Sequence, residues 1–166
     1  MPSAPWHRLA GLCGALATMA AACHHRADAP VPSQSGAAID SLIGRVQVVG
    51  VQAAPRLVLV RDSGAGILTL VGQPSLANVD GLRVAVVGTL EGSKLSVIRF
   101  TVLEANGVPA TDGRLVADGD DLYLETVDRV RHRLVQPSPK LRAQVGHRVW
   151  VSGPLDREPV AYGFIE

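Results

Sequence analysis

Residues 81–90 read GLRVAVVGTL and residues 146–155 read GHRVWVSGPL. Six of these ten positions are identical: Gly81/Gly146, Arg83/Arg148, Val84/Val149, Val86/Val151, Gly88/Gly153 and Leu90/Leu155. Valine at alternate positions is the pattern of a strand with one buried face, so Val84, Val86, Val149 and Val151 are expected to point inward. Gly88 and Gly153 allow the bend that a strand makes in a small barrel. The same 65-residue spacing pairs Leu57 with Leu122, Leu59 with Leu124, Pro74 with Pro139 and Leu76 with Leu141, which makes ten identities over the 34 positions from Leu57 to Leu90. A recurrence at fixed spacing predicts an internal duplication. The spacing drifts at two places. Gly44 needs a shift of 69 to meet Gly113, and the third strand needs a slip of one residue.

Outward from this block the chain alternates, with Gly and Pro breaks. Strands are predicted at Arg45–Val51, Arg56–Arg61, Ile67–Val71, Arg83–Thr89 and Lys94–Leu103, with a helical turn at Pro74–Val79. The second half replays the order at Arg114–Ala117, Leu122–Thr126, Val130–Val135, a helical piece at Pro139–Val145, then Arg148–Gly153 and Val160–Ile165. Three strands, a helical turn and two strands is the order of the OB-fold, a five-stranded Greek-key barrel. The expectation is an all-β chain with two tandem OB-like barrels, at 39–105 and 106–166. A ten-stranded sandwich or a shared barrel is the alternative. Each copy is small for an independent core, so the two are expected to pack together.

The stretch Asp112–Asp156 carries a Y-x-L strand, an R-L strand and a V-G-x-x-V-x-V-x-G-x-L strand. In this it resembles small uncharacterised OB-fold-like domains of exported bacterial lipoproteins. The resemblance implies a fold and an exported setting, and no reaction.

The amino terminus reads differently. Met1–Arg8 is a short, weakly basic segment, and Leu9–Ala22 carries no charge over 14 residues. That is the layout of a secretory signal and is too short to span a bilayer. The run ends Ala20-Ala21-Ala22-Cys23, which resembles a lipobox with Ala20 in place of the usual Leu. Residues 1–22 are therefore expected to be a lipoprotein-type signal peptide. Cys23 would be the lipidated terminus and the membrane contact, and 23–38 a flexible tether. The expected location is the bacterial cell envelope, with secreted or periplasmic solubility as the alternative. With Cys13 in the signal and Cys23 lipidated, no cysteine is left for a disulfide or for thiol chemistry.

After Cys23 the chain carries 15 basic and 15 acidic residues, and residues 44–105 hold one aromatic, Phe100. Single-strand binding needs a positive groove and stacking aromatics, so no nucleic-acid partner is expected. No G-x-S-x-G, H-E-x-x-H or P-loop occurs. His132 and His147 lack a local acidic orienter. The expectation is a non-enzymatic protein without a cofactor, acting as a binding or adaptor module for a protein or envelope polymer.

The candidate surface is Tyr123, Arg131 and Arg133. With Leu122 and Leu124 inward, Tyr123 and Glu125 face out beside the two arginines, an arrangement suited to an anionic or glycan ligand. Glu125 is equally a cross-strand partner for those arginines. Trp150, flanked by inward valines, faces out and needs cover from the other copy, the chain end or a partner. Asp118, Asp120 and Asp121 form a weak candidate cation loop or an acidic hairpin tip. A small-ligand or ion binder using either feature is the alternative function.

Overall fold

A computed structural model describes residues 39–51, 54–64 and 66–166. The expected signal peptide, the tether, Cys13 and Cys23 lie outside the described residues. The fold is all-β. The strands are β1 (Ile39–Val49), β2 (Arg56–Arg61), β3 (Ile67–Val71), β4 (Arg83–Glu91), β5 (Lys94–Ala105), β6 (Val108–Asp118), β7 (Asp121–Glu125), β8 (Arg131–Arg133), β9 (Arg148–Ser152) and β10 (Ala161–Phe164). A 3-10 helix (Pro74–Val79) precedes β4, and helix α1 (Pro139–Arg142) precedes β9.

Alternation sets burial as expected. Val84, Val86, Val149 and Val151 are all at most 1% exposed, while Arg83, Ala85, Arg148 and Trp150 between them are half-buried. The main departures are β1 and β6, which are longer than their apolar patterns, and β8, which is shorter. Val130 was expected in that strand. Arg129 adopts a left-handed φ of 64° and Gln136 one of 49°, and Pro137 follows, so extended backbone survives only over Arg131–Arg133.

The pairings recur at the sequence spacing. β1 pairs antiparallel with β2 and β4, β2 with β3, and β4 with β5. Likewise β6 pairs with β7 and β9, β7 with β8, and β9 with β10. Gly44 lies opposite Val84, and Gly113 opposite Val149. A Cβ on Gly44 would strike the carbonyl oxygen of Val60; one on Gly113 would strike that of Glu125. The partners are 65 apart and the glycines 69. The four extra residues lie in the β1–β2 connection, 50–55, against the two-residue turn 119–120 between β6 and β7. Side chains repeat too: Arg45 donates to the Gly81 carbonyl, and Arg114 to that of Gly146 at 2.6 Å.

One pairing does not recur. β3 runs parallel to β5 over Thr69↔Lys94 to Val71↔Ser96, so each of the first five strands has two neighbours among the five. Among the described residues β8 and β10 do not pair, and each has one neighbouring strand. The cause is local. A tight turn at Gly92-Ser93 lets β5 begin at Lys94, whereas Pro154–Val160 forms a loop and β10 begins only at Ala161. Pro159 in that loop has no N–H to offer a ladder.

The buried residues form two clusters. One gathers Val46, Leu59, Leu76, Val84, Val86, Leu95, Phe100 and neighbours, and takes in Ile165 from the far end of the chain. The other gathers Leu115, Leu122, Leu124, Leu134, Leu141, Val149 and Val151. The chain passes between them through the turn at Asn106-Gly107, which joins β5 to β6.

Candidate binding face

Leu122 and Leu124 are buried, so the intervening residues of β7 turn outward. The β7–β8 register sets Tyr123 opposite Arg133 and Glu125 opposite Arg131. Tyr123 is half-buried and both arginines are exposed. Arg131 donates through Nε to Glu125 at 2.8 Å, Arg129 reaches the other oxygen of Glu125 at 3.3 Å, and Arg133 bonds Asp121 at 2.6 Å. The hydrogen bond from Arg131 is the chief cause holding the Glu125 carboxyl below the usual glutamate range. Its acidic partner in turn holds Arg131 above its ordinary value, and Asp121 does the same for Arg133. This face is a ladder of cross-strand ion pairs, with the remaining guanidinium nitrogens open to solvent.

The aspartates form a hairpin tip. Asp118 pairs with Asp121 across a turn in which Gly119 takes φ 58°. Asp121 is bound to Arg133, and the Asp120 carbonyl accepts from Arg142 at 3.0 Å. Among the described residues no three His, Cys, Asp or Glu side chains converge as a ligand set. His132 is half-buried on β8, and exposed His147 lies 5.2 Å from the ring of Phe164.

Trp150 sits two strands from β7, on β9. It packs against the first core cluster, and its indole covers Gly163 on β10, where a Cβ would overlap the ring. Cover thus comes from both the other half and the chain end.

Next to Trp150, on the same face of β9, is a group that the sequence does not reveal. Arg148 and buried Asp112 form an ion pair. Arg148 Nε donates to Asp112 Oδ2 at 2.8 Å, and a terminal nitrogen of Arg148 donates to the Phe100 carbonyl at 2.6 Å. The Val102 N–H donates to Asp112 Oδ1 at 2.9 Å. The guanidinium also sits 4.6 Å from the centre of the Phe100 ring. Arg148 is visible in the repeat block, but its partner Asp112 stands where the first copy has Ile43, so no repeat signal marks the pair. Beside it opens a cleft of about 420 Å³, lined among others by Arg99, Arg114, Arg129, Glu125 and Glu166.

No protein-family model matches this chain, and no curated protein matches it. Among solved structures, one described as a tRNA fluorescent labeling enzyme is similar at 11% identity and a TM-score of 0.32, over 76% of this chain and 31% of that one. This chain spans about a third of that protein's length. At that score the likeness carries no argument about fold or activity.

Proposed function

We propose that this chain is a non-enzymatic lipoprotein of the bacterial envelope, tethered through lipid on Cys23, and that it acts as a binding or adaptor module for a protein or envelope polymer. In this reading the two halves are tandem OB-like barrels. The unbroken circuit of pairings β1-β2-β3-β5-β4 supports a closed first barrel, and the repeated registers support an open second one built on the same plan.

The observation that carries the binding role is the missing β8–β10 pairing. Among the described residues it leaves two strand edges in a protein whose other half joins the equivalent strands, and Val160 at the entry to β10 and Phe164 on it are exposed apolar residues. Open edges are ready templates for another chain, and proteins otherwise cover or blunt them. The charged face on β7–β8 supports the non-enzymatic reading, because its groups satisfy one another.

The test is a crosslinking capture from intact envelopes with the full chain and its Cys23 anchor. A specific partner is expected, and C23S is expected to release the protein from membranes while leaving its fold intact. Capture of nothing above background by the anchored chain would overturn the adaptor role. Unchanged membrane association of C23S would overturn the lipid anchor.

A further inference from the structure

The two halves meet through a seat that exists twice and is filled once. In the first half, the edge of β5 that faces away from β4 presents the Phe100 carbonyl and the Val102 N–H. Arg148 donates to the first and Asp112 accepts from the second, so the ion pair takes the place of a neighbouring strand. Beside it Ile165 is fully buried in the first core cluster. Its carbonyl is held at 2.9 Å by Asn78 of the 3-10 helix. An aliphatic side chain and a donor–acceptor pair therefore dock together into the angle between a strand edge and a short helix.

The same place in the second half follows from register. Phe100 and Val102 lie opposite Val86 and Val84; Tyr162 and Phe164 lie opposite Val151 and Val149. Tyr162 and Phe164 are thus the counterparts of Phe100 and Val102. Ile165 donates to the Arg148 carbonyl on β9, and alternation from it turns the Phe164 N–H and the Tyr162 carbonyl the other way. Neither has a partner among the described residues. The 65-residue spacing makes Lys140 and Gln144 of the α1 turn the counterparts of Ser75 and Val79. Lys140, Gln144, Val149, Tyr162, Gly163 and Phe164 line a groove of about 360 Å³ there.

We propose that this groove is a peptide-binding seat, taking an extended segment of a different protein that lays its backbone along β10 and inserts an aliphatic side chain next to a carboxylate. This inference rests on the binding role proposed above. The aliphatic anchor follows from Ile165 in the filled seat. The carboxylate follows from charge: among the described residues Lys140 is the only charged one lining the groove, and it is exposed and makes no ion pair with any of them. A second copy of this chain is a poor occupant. Its Asp112, Arg148 and Ile165 are already consumed by its own first seat, and its first half offers Ile43 where the acid would have to stand.

The test titrates into the protein a fluorescein-labelled peptide VAYGFIE, the segment 160–166 that supplies Ile165 to the filled seat. It stands in for a partner strand with an aliphatic residue beside a carboxylate, and loss of binding in the groove variants separates the groove from the first seat. Saturable binding is expected, lost when the isoleucine of the peptide is replaced by aspartate. In the protein, K140E is expected to weaken binding about tenfold, the scale of one exposed charge contact plus new repulsion, and Q144W to abolish it by filling the groove. K140E changes an exposed position and keeps the test valid if Q144W fails to fold. Absence of saturable binding, or equal binding by wild type, K140E and Q144W, would overturn the proposal. Self-association lost in Q144W would put a second copy in the groove and overturn it equally. Envelope capture that succeeds as well with Q144W as with wild type would sink the seat alone, whereas capture that fails in both would sink the adaptor reading.

Discussion

Arg148 and Asp112 form an ion pair that closes the edge of a strand in the other half of the molecule, by bonding the Phe100 carbonyl and the Val102 N–H. Its first-half counterpart, Arg83, occupies the same motif position but pairs with Asp62 at 2.6 Å on the surface. The same motif position thus gives arginine two energetic fates, decided by burial.

Asp112→Ala removes the buried carboxylate from Arg148, which keeps the Phe100 carbonyl and Glu166, and leaves the Val102 N–H without a partner; it is expected to cost about 2–3 kcal/mol. Asp62→Ala breaks the equivalent exposed pair and is expected to cost markedly less, because water screens it. Urea unfolding of the two variants compares them directly. Equal costs would mean that the Asp112 pair does not join the halves.

Trp150 spans the first core cluster and Gly163. Trp150→Ala is expected to destabilise by about 2–3 kcal/mol through lost burial, and Gly163→Ala by about 1–3 kcal/mol because a Cβ would overlap the indole. In the double variant the methyl has no ring to strike, so the combined cost is expected to fall below the sum of the two. Additive costs in chemical denaturation would show that the two residues do not touch.

Gly44 and Gly113 approach opposite carbonyls too closely for any side chain. Alanine at either site is expected to destabilise by about 1–3 kcal/mol. Because the buried residues form two clusters, Gly113→Ala is expected to raise amide exchange more in β6–β9 than in β1–β3. Uniform exchange in both halves would argue for one cooperative unit.

Glu125 titrates below the ordinary glutamate range because Arg131 donates to its charged form. A carboxyl depressed on folding adds stability that is complete above its unfolded value and lost as pH falls through its folded value. The loss is therefore expected on the acid side of the ordinary carboxylate range, and small, because the pair faces solvent. Arg131→Ala should move the Glu125 midpoint upward in an NMR titration. An unmoved midpoint would mean that the bond is not populated in solution.

Much of this architecture could be read along the chain. The recurrence of Gly81–Leu90 at Gly146–Leu155 predicted paired strands with Val84, Val86, Val149 and Val151 inward. Local alternation also placed Tyr123, Glu125, Arg131 and Arg133 on one face, because side-chain direction in a strand needs only a period of two. β8 was overextended because the left-handed residues Arg129 and Gln136 carry no glycine signal. The Arg148–Asp112 pair was invisible because its members are 36 residues apart and only one belongs to the repeat.

The sequence by itself determined where most strands fall along the chain and which of their faces are buried, because alternation is legible within a few residues. Only the tertiary structure decided how the copies differ. The edge of β5 is closed by Asp112 of the next strand together with Arg148 and Ile165 from the far end of the chain, while β10 finds no such partners among the described residues. Whether an edge is covered depends on which distant side chains reach it, and no local pattern encodes that.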